Sequence, residues 1–210
     1  MKNQQQVALT ESEFAASISK LTALDEDLSL VVEHHGSPPF WIRDPGFATL
    51  VRIILEQQVS LASARAACDR LLAATAPLTP ESLLTLDNET LRGIGFSRQK
   101  ASYARGLAEH LRDGRLDLTG LANLPQDEVY HQLLRIKGIG PWSAQVYLLM
   151  ALRRPDIWPT GDLALVFAMQ EVKRLPQRPS ADEMVVLAKP WRPWRAVAAR
   201  ILWHFYLSTR

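Results

Sequence analysis

The sequence predicts an all-α fold. Apolar residues recur with the 3.6-residue period of a helix throughout the 210 residues. Strands would appear as runs of alternating apolar and polar residues bounded by turn signals, and the sequence contains no convincing run of that kind. Capping residues, glycines and prolines stand where the periodic segments begin and end. Together these observations favour helices joined by tight turns.

Turn and capping residues divide the N-terminal half into helices. Thr10 forms a capping-box pattern with Glu13, which predicts that a first helix begins there. This helix is expected to run to about His34 and to end before Gly36, where a Gly-Ser-Pro-Pro stretch follows. The other helices of this half are predicted between turn residues, at 47–56, 61–74, 81–86, 88–92 and 99–112.

Proline and glycine also divide the C-terminal half. Pro125 opens a predicted helix that ends at Lys137, and Pro141 opens the next one, which runs to Leu152. A long loop with two prolines then leads to a helix that begins at Asp162. The final pair of helices is predicted at 181–187 and 194–207.

Composition limits the classes of function. The chain has 24 Lys and Arg against 22 Asp and Glu, so a nucleic-acid partner would need a localised basic patch. Cys68 is the single cysteine, which excludes a disulfide, a zinc finger and a four-cysteine iron–sulfur cluster within this chain. The polar start at 1–6 and the lack of a long apolar run predict a cytoplasmic protein without a membrane segment.

The most informative stretch is the turn at 136–144, where two glycines flank one apolar residue between two helices. Gly138 and Gly140 allow a compact turn with exposed amides, and Pro141 suits the first position of the following helix. Amides at a helix N-terminus beside a lysine, here Lys137, suit a phosphate oxygen. The alternative interpretation is an ordinary connection between two helices.

This turn and the loop at 158–162, Trp-Pro-Thr-Gly-Asp, resemble the helix-hairpin-helix DNA glycosylase superfamily. Within it the chain is most similar to the bacterial DNA-3-methyladenine glycosylase II branch, through 53–60, the hairpin segment up to Asp162, and 191–203. The resemblance covers residues 40–208 and implies a two-lobed helical fold. A central lobe at 40–130 would carry a wedge loop, and a second lobe, 1–39 with 131–210, would carry the hairpin at 133–144 and a catalytic aspartate.

The resemblance implies a monofunctional DNA glycosylase that excises alkylated purines in base excision repair. Such an enzyme flips a base of the 3-methyladenine or 7-methylguanine type out of the duplex and hydrolyses its bond to the sugar. Asp162 would be the catalytic carboxylate that stabilises an oxocarbenium-like sugar, although a simple helix N-cap would also explain it. Trp142 occupies the position where strand-cleaving members have a lysine, so lyase activity is not expected.

The resemblance also assigns contacts to the base and to the DNA. A cationic base would stack on electron-rich rings, for which the candidates are Trp142, Trp203, Trp41, Phe40 and Tyr147. Gln58 would be the wedge that fills the gap left by the flipped base. The candidates for phosphate contacts are Lys137, Gly138, Ile139, Gly140, Ser143, Arg98 and Lys100. Core aromatics, a polar turn and a solvated charged face are the corresponding alternatives.

No cofactor is expected to be required, but the resemblance implies a monovalent cation at the backbone carbonyls of Leu134, Ile136 and Ile139. The expected partner is double-stranded DNA with damaged bases, bound by a monomer. A glycosylase of the same fold for deaminated or mismatched bases and a non-catalytic helix-hairpin-helix DNA-binding module remain alternatives. The near-neutral charge is also compatible with a helical protein that binds another ligand.

Overall fold

The computed structural model describes residues 8–210, and every regular element within them is a helix, which confirms the predicted all-α fold. The polar run at 1–6 lies outside the described residues. None of the helices in the described part of the chain combines the length and apolarity needed to cross a membrane. The helices are α1 Glu11–Leu24, α2 Glu26–His35, α3 Phe47–Glu56, α4 Leu61–Thr75, α5 Pro80–Thr85, α6 Asn88–Ile94, α7 Arg98–Arg112, α8 Gln126–Leu134, α9 Pro141–Met150, α10 Leu163–Val172, α11 Ala181–Leu187 and α12 Arg195–Ser208, with 3₁₀ turns at Gly120–Asn123 and Lys189–Trp191.

The segment predicted as one first helix forms two helices, α1 and α2, because the helix is interrupted at Asp25. The backbone of Asp25 is extended, and its carboxylate accepts hydrogen bonds from the amides of Asp27 and Leu28 at the start of α2. The same carboxylate accepts from Lys173 Nζ and Trp191 Nε1, each at 2.7 Å. Asp25 is therefore stabilised as an N-cap rather than as a residue inside a helix.

The contacts between residues divide the chain into two compact units. The first is Arg43–Tyr147, and its centre is α3, whose side chains are buried on almost every face. Helices α4 and α7 pack on α3, while α5 and α6 pack on α7. Such a helix is apolar around its circumference, as expected for a central core element.

The second unit comprises residues 8–42 and Leu148–Arg210. Its centre is α12, which packs against α1, α2 and α10 and is continuously buried from Ala196 to Trp203. Arg200 lies in this buried run, where its guanidinium donates to the carbonyls of Ala196, Trp41 and Leu149. Burial lowers the pKa of Arg200 to about 10.

The boundary between the units differs from the expected lobes. It falls between Tyr147 and Leu148, so the hairpin at 133–144 belongs to the same unit as the loop at 57–60, which carries the predicted wedge Gln58 and is called the wedge loop below. Asp162 belongs to the other unit. Side-chain contacts between the two loops explain this arrangement. The Gln57 amide donates to the hairpin backbone, and the turn packs against α7.

Candidate functional site

The hairpin turn depends on a glycine at position 138. Gly138 has a φ of +94°, a backbone conformation that L side chains rarely adopt. A Cβ placed on it would lie 2.2 Å from Cγ of Tyr103, so the glycine also permits close packing against α7. Ile139 is buried, and its amide donates to the Ile136 carbonyl at 3.0 Å, which closes the turn. The first glycine of the Gly-x-Gly pattern is therefore required for both conformation and packing.

Gln57 connects the wedge loop to the hairpin. Its Nε2 donates to the carbonyl of Gly138 at 2.8 Å and to the hydroxyl of Ser143 at 2.9 Å. Gln58 follows in the left-handed region, with a φ of +54°, and is exposed. The first glutamine thus fixes the loop, and the second remains accessible. Sequence analysis identified Gln58 but missed the role of Gln57, because its partners lie 81 and 86 residues away.

The predicted phosphate contacts differ in whether the structure leaves them accessible. Lys137, Gly140 and Arg98 are exposed, and Gly138 is half-buried in the turn. Ile139 differs from the prediction, since its amide is already bonded within the turn. The exposed cations Lys137 and Arg98 remain suited to contact a phosphate backbone.

Two further predicted phosphate contacts are not accessible as expected. Ser143 is 2% exposed, and its hydroxyl accepts the hydrogen bond from Gln57. Lys100 donates from Nζ to the carbonyl of Leu55 at 2.8 Å, near the C-terminal end of α3. Burial lowers the pKa of Lys100. Both side chains therefore stabilise the unit around the hairpin.

The predicted cation site consists of backbone oxygens, the donor type that hard cations prefer. One lone pair of the Ile136 carbonyl is used by the Ile139 amide, which leaves the second for a ligand. A monovalent cation at the carbonyls of Leu134, Ile136 and Ile139 stays a prediction. Among residues 8–210, no group of three or more His, Cys, Asp or Glu side chains is arranged to hold a metal ion.

In the second unit, Asp162 caps α10. Its Oδ1 accepts hydrogen bonds from the Leu165 amide at 3.0 Å and from Trp203 Nε1 at 3.2 Å. The residue is 9% exposed, while its neighbours Gly161 and Leu163 are exposed, Leu163 by 72%. The carboxylate is therefore fixed by two N–H donors at the beginning of a helix, next to an accessible part of the surface. N-capping and a catalytic role do not exclude each other.

The candidate aromatic residues have different environments. Tyr147 is fully buried, and its hydroxyl accepts from the Gly46 amide at 3.0 Å. Burial raises the pKa of Tyr147, and the hydrogen bond from Gly46 has a smaller effect in the opposite direction. Tyr147 is thus a core residue, which corrects the prediction that it contacts a base. It lies five positions after the half-buried Trp142 in α9, so the two side chains do not share a helix face.

On the N-terminal side, Phe40 and Trp41 are half-buried and belong to the second unit. Phe40 stacks on Phe14 with 4.7 Å between ring centroids. The Arg200 guanidinium lies 5.4 Å from the Phe40 ring and donates to the Trp41 carbonyl. This buried arginine therefore holds the segment in place.

Comparison with known proteins places these features in a family. The family model of the HhH-GPD superfamily base excision DNA repair proteins matches residues 51–193. The Bacillus subtilis (strain 168) protein YfjP is 29% identical over 184 residues, which are 84% of this chain and 64% of YfjP. DNA-3-methyladenine glycosylase 1 of Schizosaccharomyces pombe is 28% identical over 205 residues, 92% of this chain and 90% of that protein. The chain thus spans just under two thirds of the length of YfjP.

Two solved structures are similar to the whole fold. The S. pombe 3-methyladenine DNA glycosylase in complex with abasic DNA has a TM-score of 0.84 at 27% identity, and the match covers 90% of this chain and 95% of that one. A DNA-3-methyladenine glycosidase from Bacillus halodurans has a TM-score of 0.71 at 31% identity, with 92% and 89% covered.

Proposed function

The chain belongs to the HhH-GPD superfamily of base excision DNA repair proteins, and on this premise we propose that it is a monofunctional DNA glycosylase for alkylated purines. Its substrates would be duplexes with bases of the 3-methyladenine or 7-methylguanine type. Support comes from the S. pombe relative, which is named a DNA-3-methyladenine glycosylase and has a similar structure in complex with abasic DNA. The enzyme would act on DNA in the cytoplasm, as a monomer.

The observation that carries this proposal is the immobilised carboxylate of Asp162. Departure of the base leaves a sugar with oxocarbenium character, and a fixed negative charge stabilises it without reorganisation of the site. The same carboxylate would orient the water that attacks the sugar. A purine alkylated at a ring nitrogen already carries positive charge and leaves readily, so a second carboxyl group to protonate it is not required.

The residue two positions after Gly140 indicates the type of reaction. A glycosylase that also cuts the strand needs an amine to form a Schiff base with the sugar. Position 142 is Trp, whose indole nitrogen is not a nucleophile of that kind. We therefore expect hydrolysis that leaves an abasic site and an intact strand, with no iron–sulfur cluster or other required cofactor.

In the first unit, the hairpin and the wedge loop would hold the duplex. Lys137, Arg98 and the backbone at Gly138 and Gly140 would contact phosphates, and exposed Gln58 would fill the gap in the base stack. A monovalent cation at the hairpin carbonyls, when bound, would add positive charge beside the phosphate. The stacking roles of Trp142, Trp203, Trp41 and Phe40 stay predictions.

The test is base release by Asp162→Asn from a panel of duplexes. The panel contains 3-methyladenine, 7-methylguanine, hypoxanthine, uracil and a thymine mispair, and alkali reveals the abasic sites. Asn remains a good N-cap, so the variant should fold and bind abasic duplex like the wild type while base release falls about 100-fold or more. Asp87→Asn is the matched control, because Asp87 caps α6 with a hydrogen bond from the Thr90 amide.

The outcomes separate the candidate functions. Unchanged base release by Asp162→Asn would end the catalytic assignment. Release of uracil or thymine alone would replace the alkylated purine with a deaminated or mismatched base. Duplex binding by the wild type without release of any base would favour the non-catalytic module. Strand cleavage without alkali would contradict the monofunctional mechanism.

A further inference from the structure

We propose that Trp203 is a positioning residue whose indole N–H holds the catalytic carboxylate of Asp162. This inference rests on the proposed function and deepens it. Sequence analysis assigned the ring of Trp203 to stacking on the base. The structure adds a contact of a different kind, made by the nitrogen and directed at the carboxylate rather than at a substrate.

Two hydrogen bonds at Asp162 share one carboxylate oxygen. Oδ1 accepts from Trp203 Nε1 at 3.2 Å and from the Leu165 amide at 3.0 Å. The two donors come from different helices, α12 and α10, within the same unit. The amide alone fixes one oxygen relative to α10, and the indole adds a second direction of restraint. A carboxylate held from two directions has little freedom to rotate about its side-chain bonds.

Burial makes the indole donor difficult to replace. Trp203 is 8% exposed and Asp162 is 9% exposed, so water has limited access to their contact. The indole nitrogen can only donate, and donors to a charged acceptor form stronger bonds than neutral pairs do. The ring lies at the end of the part of α12 that is buried from Ala196 to Trp203. Because water has limited access, it would not readily replace a lost indole N–H, and the carboxylate would be held more weakly.

The second unit contains a matched tryptophan–aspartate pair. Trp191 is 1% exposed, and its Nε1 donates to Oδ2 of Asp25 at 2.7 Å. Asp25 also binds Lys173 and caps α2, and we assign it no part in the reaction. Replacement of Trp191 therefore removes a bond of the same chemistry at a purely structural position.

The experiment removes the N–H and keeps the ring. Site-specific replacement of Trp203 by 3-benzothienylalanine puts sulfur in place of the indole N–H, and Trp203→Phe serves as a genetically encoded second variant. The measurements are the single-turnover rate of base release from a 7-methylguanine duplex and the Kd for an abasic duplex. We expect the rate to fall about 10- to 100-fold, the range for a hydrogen bond to a charged group, with Kd within about twofold.

Two comparisons distinguish positioning from general damage. Trp191→Phe should leave the rate within about twofold while lowering stability as much as Trp203→Phe does. In the Asp162→Asn background, replacement of Trp203 should change the residual rate by less than about twofold, because the carboxylate on which it acts is gone.

Several results would overturn the proposal. One is an unchanged rate with 3-benzothienylalanine; another is a loss of rate that is fully additive with Asp162→Asn. A weakened Kd with an unchanged single-turnover rate would assign Trp203 to stacking alone. These results differ from failure of the proposed function, in which Asp162→Asn itself would release bases at the wild-type rate.

Discussion

Replacement of Gly138 by Ala tests the construction of the hairpin. The new methyl group would lie 2.2, 2.4 and 2.6 Å from Cγ, Cδ2 and Cβ of Tyr103, far inside van der Waals contact. The alanine would also have to adopt the positive φ of Gly138. Left-handed backbone costs an L-residue about 1–2 kcal/mol, and overpacking costs about 1–3 kcal/mol. We therefore expect Gly138→Ala to lower the free energy of unfolding by about 2–5 kcal/mol.

Urea denaturation measures this loss, and Gly140→Ala is its control. A Cβ on Gly140 meets no atom within 4 Å, and this glycine does not have a positive φ. Its replacement should change the free energy of unfolding by less than about 0.5 kcal/mol. Equal costs for the two substitutions would refute the account of the turn.

A double-mutant cycle with Tyr103→Ala separates the two contributions to the cost at Gly138. Without the ring, the steric part disappears and the backbone part of about 1–2 kcal/mol remains. The coupling between the two sites should therefore be about 1–3 kcal/mol. Zero coupling would show that the methyl group is accommodated without contact with Tyr103, contrary to the packing described here.

Two more predictions concern hydrogen bonds far apart in sequence. Gln57→Leu removes both hydrogen bonds from the wedge loop to the hairpin. The free energy of unfolding should fall by about 1–3 kcal/mol, and the affinity for abasic duplex should weaken. Unchanged stability and affinity would contradict a role of Gln57 in joining the two loops. Burial raises the pKa of Asp25, but bonds from Lys173 and Trp191 outweigh it and lower the pKa below 3.8. The stabilisation is therefore present above pH 3.8 and is lost as the pH falls through the lower pKa of the folded state. In Asp25→Asn, the free energy of unfolding measured with urea should therefore fall less between neutral and acidic pH than it does in the wild type. An unchanged pH dependence would contradict the role given to Asp25.

Local signals predicted most helix boundaries. The capping box of Thr10 and Glu13 forms as expected at the start of α1, and Pro141 begins α9. These signals act over three or four residues, so the sequence contains all the information needed to interpret them. The break at Asp25 could not be predicted in this way, because two of its donors lie 148 and 166 residues away.

The same distinction applies to the candidate site. The spacing of Gly138 and Gly140 predicted a tight turn, and Gly138 has the positive φ that only glycine adopts easily. Sequence could not show that Ser143 and Lys100 already have partners within the fold. Residue type states which hydrogen bonds a side chain can make, and only the tertiary structure determines which of them are already made.

Asp162 shows why the capping and catalytic interpretations of one residue converge. Catalysis by a fixed charge is efficient when the charge needs no reorganisation as the reaction proceeds. An N-cap aspartate meets that requirement, because the helix amide of Leu165 holds one oxygen before any substrate binds. Trp203 extends the same restraint to a second helix. In the proposed mechanism the capping signal is therefore not an alternative to catalysis, because the same hydrogen bond that caps the helix also holds the carboxylate in place.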